Sequence, residues 1–233
     1  MTIVLVHGLS GSSRWWRPVL PLLGERDTRV VDLPRFTRSF RPEATADWLA
    51  ATLEPGTDLV GHSLGGLVAA RVAAARPELV RRLVLVAPVG AGDIALARYG
   101  SGLVRALARA PTPLLWTIVA DAARWGPAAL ARGALAATRH RFEGSVDAPT
   151  LVVWGARDAL VPVAVAEEWL RVVPHARLEV LRDAGHVPMV DAPSAFARVV
   201  LEFLDEPGDL SGVRPVGRVG GAVDDGEAPA RES

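Results

Sequence analysis

Residues 57–66 read Thr57-Asp58-Leu59-Val60-Gly61-His62-Ser63-Leu64-Gly65-Gly66, and an alanine-rich run with helical periodicity follows at once. An apolar strand that ends in Gly-x-Ser-x-Gly and passes directly into a helix is typical of a nucleophile elbow. Such a turn holds its serine in a strained backbone conformation, and the flanking glycines let the strand and the helix approach closely. The pattern therefore predicts that the Ser63 hydroxyl stands at the tip of the turn, beside a helix N-terminus that favours negative charge.

The amino-acid composition limits the class of protein. The chain has 233 residues, of which 50% are hydrophobic, and its formal net charge is +0. This length supports one α/β core with an insertion, and the neutral charge gives no reason to expect a nucleic acid or an anionic membrane as a partner. The chain contains no cysteine and no lysine, which excludes a thiol nucleophile, a disulfide framework and a lysine Schiff base.

The longer apolar runs are not expected to be targeting or membrane segments. Residues 1–8 lack the basic segment of a signal peptide, so they are expected to form a buried strand. Arginine interrupts every run that approaches the length of a membrane span, and the expected location is the cytoplasm.

Strands alternate with helices on both sides of residues 57–66. Continuous apolar runs predict strands at 2–7, 29–34, 57–62, 82–87, 151–154 and 177–181. Periodic runs predict helices at 13–23, 42–53, 64–76, 163–173 and 193–204. This alternation predicts an α/β fold, built on a doubly wound, mostly parallel sheet of about six strands.

One segment interrupts the alternation. Residues 89–146 are rich in Ala, Leu and Arg, show no strand pattern and are broken by prolines, so they are predicted to form a helical cap inserted in the core. The core is then expected to comprise residues 1–88 and 147–205. Residues 206–233 have no hydrophobic periodicity and are predicted to be a disordered tail.

A serine nucleophile needs a base that takes its proton. The chain has five histidines: His7, His62, His140, His175 and His186. His62 is adjacent to Ser63 in the turn and is expected to point elsewhere, in a structural role. Among the others, only His186 follows a predicted strand and has a flexible residue, Gly185, before it. His186 is therefore the predicted base.

The base needs a carboxylate that orients it. Asp147, Asp158 and Asp183 all lie between the insertion and His186. Asp158 ends the loop after a predicted strand, where a carboxylate can reach the carboxyl edge of the sheet. Asp147 precedes its strand and so lies at the opposite edge, and Asp183 is close enough to His186 to be explained by a turn. Asp158 is therefore the favoured acid.

An oxyanion that forms on the substrate needs two fixed backbone N–H donors. The N–H of Leu64 directly follows the nucleophile. The N–H of Leu9 lies in the loop after the first strand, at the same edge of the sheet, and can supply the second donor. Trp15 and Trp16 follow this loop and are expected to be core residues or part of a pocket wall.

Taken together, these motifs resemble those of the α/β-hydrolase superfamily, in its small esterase, haloperoxidase-like and carbon–carbon hydrolase branches. The matching pieces span residues 2 to about 204: His7-Gly8 with Gly11 and Ser12, Gly61-His62-Ser63-Leu64-Gly65-Gly66, Trp154-Gly155-Ala156-Arg157-Asp158 with Pro162, and Gly185-His186 with Asp191 and Pro193. The resemblance implies a hydrolase without a cofactor and with a helical cap. Serine at position 63 argues against the dehalogenase and epoxide hydrolase branches, whose nucleophile is a carboxylate.

The chain departs from the family in one turn. The family pattern Asp-x-x-Gly-x-Gly-x-Ser corresponds here to residues 32–39, where Arg35 and Thr37 replace both glycines. Arg35 and Phe36 are therefore expected at the mouth of the site. With Trp15, and with Trp116 and Trp125 of the insertion, Phe36 completes the set of candidate pocket residues.

Two other kinds of site are set aside. Residues 90–95 fit the dinucleotide fingerprint formally, but they open the insertion instead of a crossover helix, so no nicotinamide or flavin is expected. No cluster of histidine and carboxylate residues has metal-ligand spacing, so no metal is expected either.

The sequence thus predicts a serine hydrolase that cleaves a small carboxylic ester through Ser63, His186 and Asp158. Two alternatives stay open at this point. The same residues could serve a carbon–carbon bond hydrolase or lyase, and the fold could belong to a ligand-binding or signalling protein without turnover.

Overall fold

A computed structural model of the chain describes residues 1–34, 40–92, 101–102, 104–105 and 112–207. Six strands form one sheet in the order β2-β1-β3-β4-β5-β6, and every neighbouring pair is parallel. The strands are β1 (Ile3–Val6), β2 (Thr28–Val31), β3 (Thr57–His62), β4 (Val80–Val86), β5 (Thr150–Gly155) and β6 (Arg177–Leu181). This sheet confirms the predicted α/β architecture and strand number.

Helices connect the strands and cover both faces of the sheet. The α-helices are α1 (Pro42–Ala50), α2 (Leu64–Ala75), α3 (Thr112–Trp125), α4 (Pro127–Arg139), α5 (Ala164–Val172), α6 (Pro188–Asp191) and α7 (Pro193–Leu204). Three short 3-10 helices lie at Ser13–Trp16, Leu20–Leu23 and Pro77–Leu79. Within the described ranges, no helix has the length and apolar character needed to cross a bilayer.

The predicted helix at 13–23 is wrong in kind, because the structure has two separate 3-10 turns there. Pro18 and Pro21 lack the backbone N–H that a continuous α-helix would use, and Gly24 ends the second turn with a φ of 68°. The sequence reasoning weighed the apolar residues of this segment and underestimated its prolines. It also missed the single turn α6.

The core consists of two layers, one on each face of the sheet. Alternate residues of each strand point to opposite faces, so that Val4 and Val6 pack with α1, α2 and α5, whereas Ile3 and Leu5 pack with the 3-10 turns and α7. Because all strands are parallel, the loops that follow β1, β3, β5 and β6 leave the sheet at one edge. The predicted site residues lie in these loops.

Candidate active site

Ser63 occupies a sharp turn between β3 and α2. Its φ of 51° and ψ of −116° lie in a region that residues with a side chain rarely adopt. The surrounding backbone holds this conformation: Ser63 N–H donates to the carbonyl of Val86 at 2.8 Å, and the Ser63 carbonyl accepts from Gly66 N–H at 3.0 Å. The strained turn predicted from the sequence is thus present in the structure.

The glycines of the turn are explained by close contacts between backbones. A Cβ on Gly61 would lie 2.5 Å from the carbonyl oxygen of Gly65, and a Cβ on Gly65 would overlap the carbonyl oxygen of His7. Only glycine therefore lets α2 start this close to β3 and to the loop after β1.

The structure brings Ser63, His186 and Asp158 together in one hydrogen-bonded chain. His186 Nε2 lies 3.2 Å from Ser63 Oγ, and His186 Nδ1 lies 2.8 Å from Asp158 Oδ2. An ionised carboxylate can only accept, so the proton of the imidazole is assigned to Nδ1. Nε2 is then free to accept the proton of the serine hydroxyl.

Asp158 is held by its own loop. Its second oxygen, Oδ1, accepts the backbone N–H groups of Leu160 and Val161, each at 2.8 Å. Oδ2 is left to face His186, and the side chain of Asp158 is fully buried. The carboxylate therefore has one fixed orientation.

The two rival acids are not near His186 Nδ1. Asp183 is exposed over 79% of its side chain and pairs with Arg157 at 2.7 Å. Asp147 is exposed and precedes β5, at the opposite edge of the sheet. Of the three candidates, the structure places only Asp158 against the imidazole.

The loop that carries His186 is fixed by two groups that the sequence reasoning gave no catalytic part. Asp191 Oδ2 accepts Gly185 N–H at 2.8 Å, and burial raises the pKa of this carboxyl group. His62 Nε2 donates to the carbonyl of His186 at 2.8 Å, and the two rings lie 4.9 Å apart. Burial lowers the pKa of His62 well below its usual value, and the neighbouring His186 adds to this effect, so His62 is neutral. His62 thus holds the backbone of His186, the predicted base.

The two backbone N–H groups predicted as oxyanion donors belong to the start of α2 and to the loop after β1. Leu64 is the first residue of α2, so its N–H has no carbonyl partner within the helix. Leu9 lies in the loop after β1, which here is called the oxyanion loop (residues 7–15). A Cβ on Gly8 would lie 2.9 Å from the Cβ of Ser63, which shows how closely this loop approaches the serine.

His7 at the start of the oxyanion loop is a buried structural residue. Its Nδ1–H donates to the carbonyl of Gly8 at 2.7 Å, and its Nε2 accepts Leu33 N–H at 3.0 Å. Burial lowers the pKa of His7, in agreement with a neutral ring that both donates and accepts. This ring ties the oxyanion loop to the end of β2.

The helices α3 and α4 cover the oxyanion loop. Asp121 of α3 accepts from Ser12 Oγ at 2.7 Å and from Trp15 Nε1 at 3.0 Å, and it has no exposed surface. Trp125 Nε1 donates to the carbonyl of Gly11 at 3.3 Å. The sequence reasoning missed Asp121, although a single acid within the apolar run of α3 was a usable signal.

The four candidate pocket residues have different positions. Trp15 and Trp125 are buried beside the oxyanion loop, as the contacts with Asp121 and Gly11 show. Trp116 is 71% exposed on α3, away from these contacts. Phe36, with Arg35 and Thr37, lies outside the described residues. The role of all four in binding substrate stays a prediction.

Among the described residues, no three or more histidine or carboxylate side chains are grouped so that they could hold a metal ion. The side chains that the structure brings together at the site are those of Ser63, His186 and Asp158. Such an arrangement can form and break a covalent acyl–serine bond.

Comparison with known proteins shows which family the sequence resembles. The sequence profile of the "Alpha/beta hydrolase family" matches residues 3–199. A pimeloyl-[acyl-carrier protein] methyl ester esterase of Neisseria meningitidis serogroup A is 31% identical over 91% of this chain and 81% of its own length.

Solved structures show the same fold at lower sequence identity. A carboxylesterase from Bacillus subtilis superposes with a TM-score of 0.69, at 22% identity over 88% of this chain and 83% of its own. A serine hydrolase involved in carbazole degradation superposes with a TM-score of 0.70, at 24% identity over 88% of this chain and 90% of its own.

Proposed function

Because the chain belongs to the alpha/beta hydrolase family, we propose that it hydrolyses small carboxylic esters, with Ser63 as the nucleophile. The observation that carries this proposal is the hydrogen-bonded chain from Ser63 Oγ through His186 to Asp158, with 3.2 Å and 2.8 Å between the paired atoms. An ester is favoured as substrate because the relative from Neisseria meningitidis, 31% identical, is named for a methyl ester.

The first half of the reaction transfers the acyl group to the enzyme. Ser63 Oγ attacks the carbonyl carbon while His186 Nε2 takes the hydroxyl proton, and Asp158 stabilises the imidazolium that forms. The N–H groups of Leu9 and Leu64 donate to the oxyanion of the tetrahedral intermediate. His186 then returns the proton to the alkoxy oxygen, so that the alcohol leaves and an acyl–Ser63 ester remains.

The second half releases the acid. A water molecule gives its proton to His186 Nε2 and attacks the acyl carbon, and the same two N–H groups hold the second oxyanion. Collapse of this intermediate returns the proton to Ser63 Oγ and frees the carboxylic acid. The site ends in its starting state, and no other reactant is consumed.

The proposal is tested with a fluorophosphonate probe and two matched serine variants. The probe should label the wild-type chain and the Ser194→Ala variant, because Ser194 is an exposed residue of α7. It should not label Ser63→Ala. Labelling of a correctly folded Ser63→Ala variant would assign the nucleophile to another residue.

Ester turnover tests the substrate class. Purified protein should hydrolyse p-nitrophenyl esters, and a series of acyl chain lengths should show a maximum that reports the size of the pocket. Methyl esters of free acids and of acids bound to an acyl carrier protein should then be compared, since the carrier occurs in the name of the Neisseria relative. Absence of turnover on every ester, with the probe still reacting, would count against the ester as substrate.

The expected cytoplasmic location and the boundaries of the cap stay predictions from the sequence.

A further inference from the structure

Asp121 is a buried carboxylate that the proposed reaction does not use directly. It lies on α3 and has an exposed fraction of 0%. Its two hydrogen-bond donors are far away in the sequence, at separations of 109 and 106 positions. Both of its hydrogen-bond donors, Ser12 Oγ and Trp15 Nε1, converge on one oxygen, Oδ2. Burial of a carboxylate is unfavourable in free energy unless hydrogen bonds compensate for the lost water. A buried carboxylate at this position therefore indicates a specific role.

The second oxygen of Asp121 has a different environment. Within the described part of the chain, Oδ1 accepts no hydrogen bond, although it is buried. The guanidinium of Arg14 lies 3.8 Å from it, and the side chain of Arg14 is 41% exposed. The structural contribution of Asp121 thus depends mainly on one acceptor oxygen, and less on its charge.

The two donors belong to the oxyanion loop. Ser12 is the N-cap of the 3-10 turn Ser13–Trp16, and its hydroxyl oxygen also accepts Arg14 N–H at 3.4 Å. Ser10, next to Leu9, has a φ of 56°, which is unfavourable for serine and must be held by its surroundings. Within the loop, Gly11 N–H donates to the carbonyl of Gly8 at 3.2 Å, and Trp15 N–H donates to the carbonyl of Ser12 at 3.1 Å.

Two further contacts join the same loop to the same pair of helices. Trp125 of α3 donates to the carbonyl of Gly11. A Cβ on Gly133 of α4 would overlap the side chain of Leu9, so this helix packs directly on the residue whose N–H is a candidate oxyanion donor. The loop is therefore clamped between the sheet and these helices.

We propose that Asp121 is a positioning residue of the oxyanion hole: its Oδ2 accepts from Ser12 and Trp15 and thereby fixes the loop that presents Leu9 N–H to the substrate. This inference rests on the proposed esterase function. Asp121 belongs to α3 and holds the loop. A change in the position of α3 on the core would therefore change how the loop binds the oxyanion.

The test compares Asp121→Asn with Asp121→Ala. Asparagine keeps one acceptor oxygen, which can occupy the place of Oδ2, and its NH2 group replaces the oxygen that accepts no hydrogen bond. Alanine removes the acceptor. We expect kcat of Asp121→Ala to fall at least about tenfold, since loss of one oxyanion donor costs about 10²–10³ in kcat. Asp121→Asn should stay within about threefold of wild type.

Three readouts separate positioning from a general loss of structure. KM should change by less than about twofold, because the loop donor acts mainly in the transition state. The pH midpoint of kcat/KM should not move, because Asp121 does not touch His186 or Asp158. The affinity for an alkyl boronic acid, which forms a tetrahedral adduct with serine, should fall in parallel with kcat.

Val119→Ala is the matched control, because Val119 lies on the same helix and is 51% exposed. It should have wild-type kcat. If Asp121→Ala does not fold, Trp15→Phe keeps an aromatic ring and removes only one donor, and its kcat should fall about threefold or more. Wild-type kcat in Asp121→Ala or in Trp15→Phe would overturn the inference. An equal loss in Asp121→Asn and Asp121→Ala would also overturn it, because charge would then be the important property.

A measurement without substrate keeps this test separate from that of the proposed function. Hydrogen exchange of the amides in residues 8–13 should be faster in Asp121→Ala and unchanged in Asp121→Asn. Unchanged exchange in Asp121→Ala would overturn the positioning role, even in an active esterase. Absence of ester turnover in the wild type would instead overturn the proposed function.

Discussion

Asp158 illustrates how one residue can be fixed by the separate partners of its two oxygens. One oxygen accepts two backbone N–H groups of its own loop, and the other faces His186 Nδ1. An amide at this position has only one oxygen. If that oxygen keeps the two backbone donors, its NH2 group points at Nδ1 and favours the imidazole tautomer with the proton on Nε2, which cannot accept the proton of Ser63.

We therefore predict that Asp158→Asn lowers kcat at least about 10²-fold, as in the serine protease that serves as the standard example, where the corresponding change costs about 10⁴. Asp183→Asn should lower kcat less than about tenfold, because Asp183 is itself exposed and pairs with the exposed Arg157. Ester turnover of both variants, with circular dichroism as the folding control, checks this prediction. A greater loss in Asp183→Asn would show that the acid is Asp183.

His62 is a buried neutral histidine, and this has a consequence for stability. Burial lowers its pKa well below 6.5, whereas in the unfolded chain His62 titrates near the usual value. As the pH falls through about 6.5, the unfolded chain takes up the proton first, so stability that is present above this pH is lost below it.

We predict that the free energy of unfolding falls between about pH 7 and pH 5, and that His62→Gln reduces this fall by up to about 1.4 kcal/mol per pH unit. Glutamine keeps a donor for the carbonyl of His186 and does not titrate. The lowered pKa of His7 and the raised pKa values of Asp58 and Asp191 contribute in both proteins, so the difference isolates His62. Urea unfolding at both pH values measures it. If the free energy of unfolding falls equally in both proteins, His62 takes up its proton as readily in the folded chain as in the unfolded one.

At the residue scale, position along a strand was the informative signal. Ser63, His186 and Asp158 each follow a strand at the same edge of the sheet, which selected them from five histidines and three aspartates, and the structure brings the three side chains together. The apolar run around Asp121 could have indicated a buried acid, but its partners are more than 100 positions away, and no local pattern reports which groups such an acid contacts.

At the element scale, the junction of β3, α2 and the oxyanion loop depends on crowding. A Cβ on Gly65 would overlap the carbonyl oxygen of His7 and would lie 2.9 Å from that of Val6. Backbone atoms of a central strand cannot move away as the end of a side chain can. The start of α2 is thus fixed against β1.

We predict that Gly65→Ala lowers the free energy of unfolding by at least about 3 kcal/mol, because overpacking against backbone is poorly relieved. Gly24→Ala is the matched control: its φ is 68°, but a Cβ there would meet nothing within 4 Å. Only backbone strain, about 1–3 kcal/mol, is expected in that variant, because a φ of 68° with a ψ of −150° lies in a region that is essentially restricted to glycine. Chemical denaturation of both measures the difference, and equal losses would refute the crowding argument.

The accuracy of the predicted helices and strands depends on how clearly their apolar patterns end. The strands at 57–62 and 177–181 and the helix at 193–204 were predicted with the observed bounds, because their apolar patterns end sharply at turn residues. The segment at 13–23 has a similar apolar content, but its prolines divide it. Hydrophobic content alone does not report which hydrogen bonds a backbone can make.

At the scale of the whole molecule, Glu206 is attached to the edge of the sheet where the strands begin, which is opposite the edge that carries the site. The buried Arg82 donates from Nη2 to the carbonyl of Glu206 at 2.6 Å, and Arg177 pairs with the Glu206 carboxylate at 2.5 Å. Both guanidinium groups lie 5.2 Å from the ring centre of Phe203. Glu206, the first residue of the predicted tail, is therefore in contact with the core.

We predict that truncation after Pro207 changes the melting temperature by less than about two degrees, since the sequence beyond it has no apolar period. Truncation after Leu204 also removes Glu206 and leaves the buried Arg82 without this partner. The melting temperature should then fall by at least about four degrees. Differential scanning calorimetry checks both. A large fall after the first truncation would mean that residues 208–233 dock on the core.

The fold as a whole was predictable because alternating strands and helices permit few arrangements. The position of α3 and α4 on the oxyanion loop was not, since it depends on the matching of two surfaces that are distant in sequence. Sequence order thus predicted the sheet and the edge that carries the site, whereas the side chains that join these helices to the site required the structure.

The proposed oxyanion donors are main-chain groups, and this has a consequence for which substitutions can be tolerated. Every amino acid except proline supplies the same backbone N–H. Proline is therefore the one substitution at position 9 that removes this donor. In a saturation library selected for ester hydrolysis, Leu9→Pro should be lost as completely as substitutions of Ser63, while several apolar replacements of Leu9 survive. Depletion of those apolar replacements to the same level as Leu9→Pro would show that the side chain of Leu9, and not its N–H, is under selection. The proposed donor at position 9 can therefore be kept while the amino acid at that position changes.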